Sequence, residues 1–295
     1  TFKNGLHFGV TASVADDKTE VTKWTYNTKI PSYGATGWWD KSAYKEGMVL
    51  GDIWGLQFDR FLTEDDFNAD GSLKAGLPDQ TKVFPAGYQF APGDVLYKDL
   101  DNNGEIVKQT NTNDKGDLSV IGNALPRLQF GLNLDAAWKG FDISMFFQGV
   151  AKRKLWAAGN QVLPGFTTGE PFYKGAEDYW TPENTDAFYP RPMDYKQSAS
   201  GNYSVNDRYL LNMAYLRLKT FTVGYSLPKV WLSKFKVQGL RVYFTGENLF
   251  TIDGVKPAID PEIGIRTASG KSDQRNFGRS YPYQKTVSFG IQLSL

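Results

Sequence analysis

The chain has no cysteine. That excludes a disulfide scaffold, a thiol nucleophile and Cys-ligated zinc. Histidine is almost absent as well. His7 is the single one, so a Ser-His-Asp triad would have to use it, and it falls on the polar face of a strand. Charge of one sign is lacking too. The 33 Lys and Arg residues nearly cancel 32 Asp and Glu, leaving a net charge of +1. A nucleic-acid partner usually requires a basic excess, so none is expected. No stretch approaches the ~20 consecutive apolar residues of a membrane-spanning helix. There is no P-loop, no G-x-G-x-x-G opening a helix and no H-E-x-x-H. No local motif nominates a glycosidase carboxylate pair. The reading is therefore that of a non-enzyme. Thr1–Leu6 carries no leader, so any targeting segment is expected upstream.

What the chain does have is alternation. Tyr281, Tyr283, Val287, Phe289, Ile291, Leu293 and Leu295 take odd positions, with mostly polar residues between them. Side chains of a strand point to opposite faces with period 2, so this segment is a two-faced strand. The same pattern recurs at Leu6–Val14, at Arg127–Trp138 and, after the turn Lys139-Gly140, at Phe141–Val150. Residues 240–250 repeat it. In residues 214–227 the phase breaks, because Leu216 and Leu218 are even whereas Phe221, Val223, Tyr225 and Leu227 are odd. A β-bulge near Lys219-Thr220 would restore one apolar face. Residues 47–62 are β-prone but irregular, and fit either a barrel strand or an extended loop segment. A mean hydropathy of −0.43 is compatible with membrane strands, which are apolar only at every second position.

The connections are unequal. Lys139-Gly140 and residues 228–239 are short, whereas residues 63–126, 151–208 and 253–279 are long and rich in Gly, Pro, Asp, Asn and aromatics. Outer-membrane barrels place short turns in the periplasm and long loops outside. Counting strands back from Leu295 puts all three long connections outside. The 15% aromatic content suits interfacial girdles or a carbohydrate-binding surface.

Two loop features carry candidate sites. Residues 99–106 (DLDNNGEI) match the first half of a D-x-[DN]-x-[DN]-G calcium loop, in which alternate oxygens converge on a hard cation. Asp99, Asp101 and Asn103 are the expected ligands, Glu105 would offer its carbonyl, and Thr110 occupies the twelfth position. Asp114 or Asp117 would then supply the missing carboxylate to a structural Ca2+ or Mg2+. The loop at 151–208 holds many aromatics. Trp156, Phe172, Tyr173, Tyr179 and Trp180 are the candidates for stacking on a substrate, against the alternative that they fold the loop on itself. Trp38-Trp39 poses the same choice.

The wording and order of eight segments resembles the C-terminal part of the SusC/RagA-like TonB-dependent outer-membrane transporters of Bacteroidota. They are residues 47–55 (GMVLGDIWG), 92–104 (PGDVLYKDLDNNG), 121–130 (IGNALPRLQF), 139–149 (KGFDISMFFQG), 178–184 (DYWTPEN), 214–228 (AYLRLKTFTVGYSLP), 240–250 (LRVYFTGENLF) and 281–295. The resemblance implies an all-β fold. Residues 1–295 would be the C-terminal part of an antiparallel transmembrane β-barrel of about 22 strands with long extracellular loops. This piece would contribute about the last six to eight strands, with the plug and the TonB-contacting segment outside it. The implied activity is TonB-dependent import of a large nutrient, a glycan above all or else a peptide, with a SusD-like surface lipoprotein as lid. A metal loop is also seen in the family. Rival readings are a small passive barrel and a soluble β-sandwich that binds glycans.

Overall fold

In the computed structural model the described residues are 5–24, 46–108, 116–157, 159, 161–166, 172–193, 201–233, 237–256, 258–262 and 281–295. Trp38, Trp39, Thr110 and Asp114 lie outside them. Six strands form one antiparallel sheet in the order β1 (His7–Ala15), β6 (Arg127–Trp138), β7 (Phe141–Lys152), β10 (Tyr215–Ser226), β11 (Gly239–Asp253) and β12 (Thr286–Ser294). Its two outer strands, β1 and β12, are not paired with each other. The β6–β7 hairpin turns through Lys139 (φ 50°) and Gly140 (φ 90°), with Trp138 opposite Phe141. Positive φ at both central residues matches the right-handed twist of the flanking strands.

Register explains why the sequence alternates. Phe8, Ala136, Ile143, Val223, Phe244 and Phe289 follow one another across all six strands. Val10, Leu134, Met145 and Phe221 form the next row. One face is therefore a continuous apolar band, in which Phe8, Val10, Val14, Phe289 and Ile291 are more than half exposed. The opposite face carries Thr11, Asn133, Ser144, Thr222, Thr245 and Ser288. There Arg241 reaches across Gly224 to Asp142 at 2.5 and 3.0 Å. A Cβ on Gly224 would lie 2.5 Å from that guanidinium, so only glycine leaves the path open.

The expected bulge is present. Leu218 faces Phe147 and Thr220 faces Phe146, which leaves Lys219 as the extra residue against β7. On the other side, Leu218 faces Phe250 and Thr220 faces Glu247. The extra residue there falls on β11, where Asn248 adopts φ 50°, a conformation asparagine tolerates. The two offsets restore the apolar row, so that Leu218, Phe250 and Phe147 lie together beyond the bulge.

Every long connection leaves the same end of this sheet, because adjacent strands alternate in direction. The connections are not structureless. Residues 47–62 resolve into β2 (Asp52–Gly55) and β3 (Phe58–Phe61), and neither joins the large sheet. β2 pairs with β5 (Ser119–Asn123), β3 with β4 (Val95–Tyr97), and β8 (Lys154–Leu155) with β9 (Leu211–Asn212). All three long connections contribute to one apolar core: Ile53 and Ala124 from the first, Trp156, Leu163, Tyr209 and Met213 from the second, Val255 and Ile259 from the third. A second core gathers Leu56, Phe61, Val95, Tyr97, Ile106 and Trp180. Each large side chain buried there contributes about 1.5–3 kcal/mol, enough to order long connections whose own sheets are only two-stranded.

Candidate functional site: an aromatic cleft and an acidic loop

Buried polar side chains hold the connections in place. Asp94 is fully buried and accepts from Arg191 at 2.8 and 3.2 Å, from the Tyr88 hydroxyl at 2.8 Å and from Asn202 at 3.0 Å. Asn202 in turn accepts from the Val95 N–H, and the Gln80 amide accepts from the Tyr97 N–H and donates to the Val95 carbonyl. Burial, with the charge of Asp94 beside it, pushes the Tyr88 hydroxyl far up, so it remains a neutral donor. These bonds tie residues 80–97 to residues 191–202, two long connections.

The second connection opens into a cleft of about 400 Å3. Its local geometry begins with a parallel bridge between Tyr179 and Tyr189, fixed by Trp180 N–H to Tyr189 O at 3.0 Å and Tyr189 N–H to Asp178 O at 2.9 Å. Tyr189 is buried and its hydroxyl donates to the Val162 carbonyl at 3.0 Å. Burial and the Asp178 charge push that hydroxyl up to about 12. Its ring lies nearly parallel to Tyr209 at 6.0 Å, and Tyr203 meets Tyr209 edge-on at 5.2 Å. Tyr189 and Tyr203 thus make a rigid wall. The rim is different. A single 3-10 turn, Lys174–Ala176, leaves Phe172 58% and Tyr173 37% exposed, with Tyr179 at 41%. Lys174 and Glu177 add one charge of each sign. Exposed aromatic faces can stack on flat apolar surfaces, and the charged pair can orient polar groups.

Of the five aromatics expected at a ligand, three therefore line one cleft: Phe172, Tyr173 and Tyr179. Trp156 and Trp180 do not. They are 2% and 6% exposed and sit in the two apolar cores, where packing occupies their rings. Tyr203, Pro164 and Pro190 complete the cleft from distant positions, and no periodic pattern in the sequence marks them.

The acidic loop gathers Asp99, Asp101 and Asp117, with one carboxylate oxygen from each lying within 4.8 Å of the others. Asp117 is fully buried and accepts the N–H groups of Leu100 and Val107, which brings it back onto the turn from 18 residues beyond Asp99. Asp99 accepts from the Gly104 N–H at 2.8 Å through Oδ2, whereas its buried Oδ1 has no hydrogen-bond partner. Burial raises the Asp99 carboxyl, but the Gly104, Asn102 and Asn103 N–H groups outweigh it and bring the pKa below the ordinary range. Burial and the neighbouring Asp117 and Asp99 charges push the Asp101 carboxyl up. No ion pair to any of the three forms among the described residues. Asn103 donates to Asp101 at 3.0 Å, while its oxygen accepts the Glu105 N–H. Glu105 points its carboxylate at Lys82 instead.

No family model matches the sequence. It is 29% identical over 258 residues to TonB-dependent receptor P3 of Formosa agariphila, covering 84% of this chain and 22% of that protein. TonB-dependent receptor P26 of the same organism is 32% identical over 200 residues, 66% of this chain and 19% of that protein. TonB-dependent receptor SusC of Bacteroides thetaiotaomicron is 25% identical over 242 residues, 79% of this chain and 22% of that protein. The chain thus spans about a fifth of the length of the curated relatives it matches. Among solved structures, the RagAB peptide importer in its open-open state superposes with a TM-score of 0.60 at 17% identity, over 100% of this chain and 27% of that one. A further structure of the RagAB peptide transporter gives 0.62 at 19%, over 99% and 27%. The order of segments, the one-sided long connections and these likenesses agree: over most of its length the chain is similar to the SusC/RagA-like TonB-dependent receptors.

Proposed function

We propose that these residues form part of the wall and outer mouth of a bacterial outer-membrane barrel. In this reading the whole protein imports a large nutrient, in the first instance an oligosaccharide. TonB energises it, and a SusD-like surface lipoprotein closes over the mouth. The apolar band faces lipid, the polar face lines the lumen, and the three long connections meet the substrate. The observation that carries the substrate side is the cleft with Phe172 and Tyr173 on its rim and Tyr203 in its wall. Aromatic faces of this kind stack on sugar rings, and equally on prolyl or aromatic side chains. The peptide reading is therefore retained, because the RagAB structures that superpose on the chain are those of a peptide importer. Uptake of labelled oligosaccharides and labelled peptides by cells lacking the gene, rescued with the full-length protein or its Y173A/Y179A variant, separates the two. Oligosaccharide uptake that needs both the gene and TonB, and that drops at least fivefold in the variant, is expected. Uptake of peptides alone would overturn the glycan assignment.

We further propose that Asp99, Asp101 and Asp117 hold a structural Ca2+ that clamps the acidic loop. The buried, unpartnered Oδ1 of Asp99 supports this, and among the described residues no ion pair neutralises the three carboxylates. Three carboxylates suit a hard cation that takes oxygen ligands at about 2.3–2.6 Å. Asp117 replaces the usual twelfth-position ligand. In the full-length protein, Ca2+ should slow proteolysis around Asp99 at least threefold, and D99N/D117N should abolish the effect. Identical cleavage with Ca2+ and with chelator in the unmutated protein would end the assignment.

A further inference from the structure

At the short-turn end of the sheet the apolar face closes with a row of aromatics. Trp138 pairs with Phe141, and Phe141 with Tyr225. The Phe141 and Tyr225 rings are 4.5 Å apart, and Lys139 lies 4.6 Å over the Trp138 ring. Trp138 is 45% and Phe141 58% exposed. The chain leaves this row at Tyr225, ends β10 at Ser226, and passes through Pro228 into one helical turn, α1 (Lys229–Leu232). Leu232 is buried, which anchors the turn on the body of the protein. Val230 and Trp231 are not buried: they are 78% and 61% exposed. From Tyr225 to Trp231 the chain spans six residues, so α1 cannot lie more than ~20 Å from the aromatic row.

An exposed Trp beside an exposed Val, with Lys229 next to them and Trp138–Lys139 nearby, has the chemistry of a membrane interface. The indole places its apolar body among acyl chains and its N–H among headgroups, and lysines reach the phosphates. We propose that α1 is an interfacial anchor, its Val230 and Trp231 seated in the headgroup layer of the phospholipid leaflet at the short-turn end, continuous with the Trp138–Phe141–Tyr225 row. The anchor would fix the depth at which the β10–β11 turn rides. This rests on the reading that the apolar face meets lipid, and the test separates the two.

Single cysteines at Trp231 and, as a reference on the apolar band, at Val10 are labelled with bimane in the full-length protein, in phosphatidylethanolamine/phosphatidylglycerol nanodiscs. No native thiol in these 295 residues competes for the label. Nitroxides on the lipid headgroup or at mid-chain, and aqueous iodide, serve as quenchers. The probe at Trp231 should be quenched at least twofold more by the headgroup nitroxide than by the mid-chain one. The probe at Val10 should show the reverse. Iodide quenching at Trp231 without lipid quenching, with Val10 behaving as expected, overturns the anchor alone. Failure at both sites overturns the membrane reading itself. Shielding of Trp231 from both lipid and iodide makes α1 a protein interface and also overturns the proposal. If W231C does not fold, the same measurement at V230C decides.

Discussion

Replacing Arg217 with Met should release the third long connection from the mouth of the sheet. Arg217 stands on the polar face of β10, its side chain 4% exposed, and each of its three guanidinium nitrogens donates a hydrogen bond. It pairs with Asp260 at 2.7 Å and with Glu262, and donates to the Thr251 hydroxyl at 2.7 Å. Tyr283 lies over it at 5.3 Å. In Arg217→Met, Glu262 keeps Lys219 at 2.9 Å and the Tyr215 hydroxyl at 2.8 Å. Among the described residues, Asp260 then keeps only the N–H groups of Glu262 and Tyr283, both at 3.0 Å. Breaking a buried pair costs about 3–5 kcal/mol because the remaining charge is uncompensated. The two surviving N–H donors place this case at the low end, near 3 kcal/mol, which corresponds to about a hundredfold easier local opening. Hydrogen exchange at the Glu262 and Tyr283 amides of the full-length protein reads that opening directly. Both should exchange about a hundredfold faster, while the Thr222 amide within β10 should not change. The double variant R217M/D260N, which removes both charges, should recover most of the protection. Exchange at Tyr283 within threefold of the unmutated protein would refute the reasoning.

Arg60 grips Asp66 through two bonds of 2.6 and 2.7 Å, and Asp66 also accepts the Thr63 N–H. The Arg60 hydrogen bonds hold the Asp66 pKa at about 2, below the ordinary 3.8. The stabilisation is complete above pH 3.8 and lost as pH falls toward 2. With Arg60 partly exposed it amounts to about 1–2 kcal/mol, so D66N should match the acid-exposed protein in protease sensitivity around Thr63 and show no further acid effect. Gly224→Ala places a methyl group 2.5 Å from the Arg241 guanidinium and should break the pair with Asp142. The unfolding temperature seen by heat-modified gel mobility should drop by a few degrees, as it should for R241M. An unchanged value for both would show that the pair contributes nothing. In the cleft, Y203A should loosen the wall and Y179A only the rim. Thermal stability should therefore fall for the first, by about 2–3 kcal/mol, and hardly for the second.

The six strands of the large sheet are legible because one face is apolar and the other polar, which appears as a period of two along each strand. The alternation over Arg127–Trp138 has the bounds of β6 itself. The bulge at Lys219 showed itself as a change of parity between Leu218 and Phe221, since a single extra residue is the only local way to keep both leucines on the apolar face. The last strand is shorter than its pattern. Tyr281 and Tyr283 continue the alternation but precede the ladder, which starts at Thr286. Pro282 offers no N–H, and Tyr283 is held by Asp260 and lies over Lys219 and Arg217 instead. The loop regions were less legible. Residues 47–62 read as either wall or loop, because strands of four residues are too short to establish a period of two. The aromatics of residues 151–208 look alike in sequence, and only tertiary packing sends Trp156 inward and leaves Phe172 at the surface. Asp117 could be named as a ligand because few other acids follow the motif. Its return to Asp99 depends on hydrogen bonds to Leu100 and Val107 that no spacing rule predicts.

We propose that one end of this sheet, with every long connection, faces the cell exterior. Single cysteines at Lys174 and Glu183 in the second connection, and at Lys139 and Lys229 in the short turns, can be labelled with a membrane-impermeant maleimide in living cells producing the full-length protein. Labelling at Lys174 and Glu183 is expected in intact cells, and at Lys139 and Lys229 only after the outer membrane is permeabilised. Labelling of Lys139 or Lys229 in intact cells, with the loop positions protected, would contradict it.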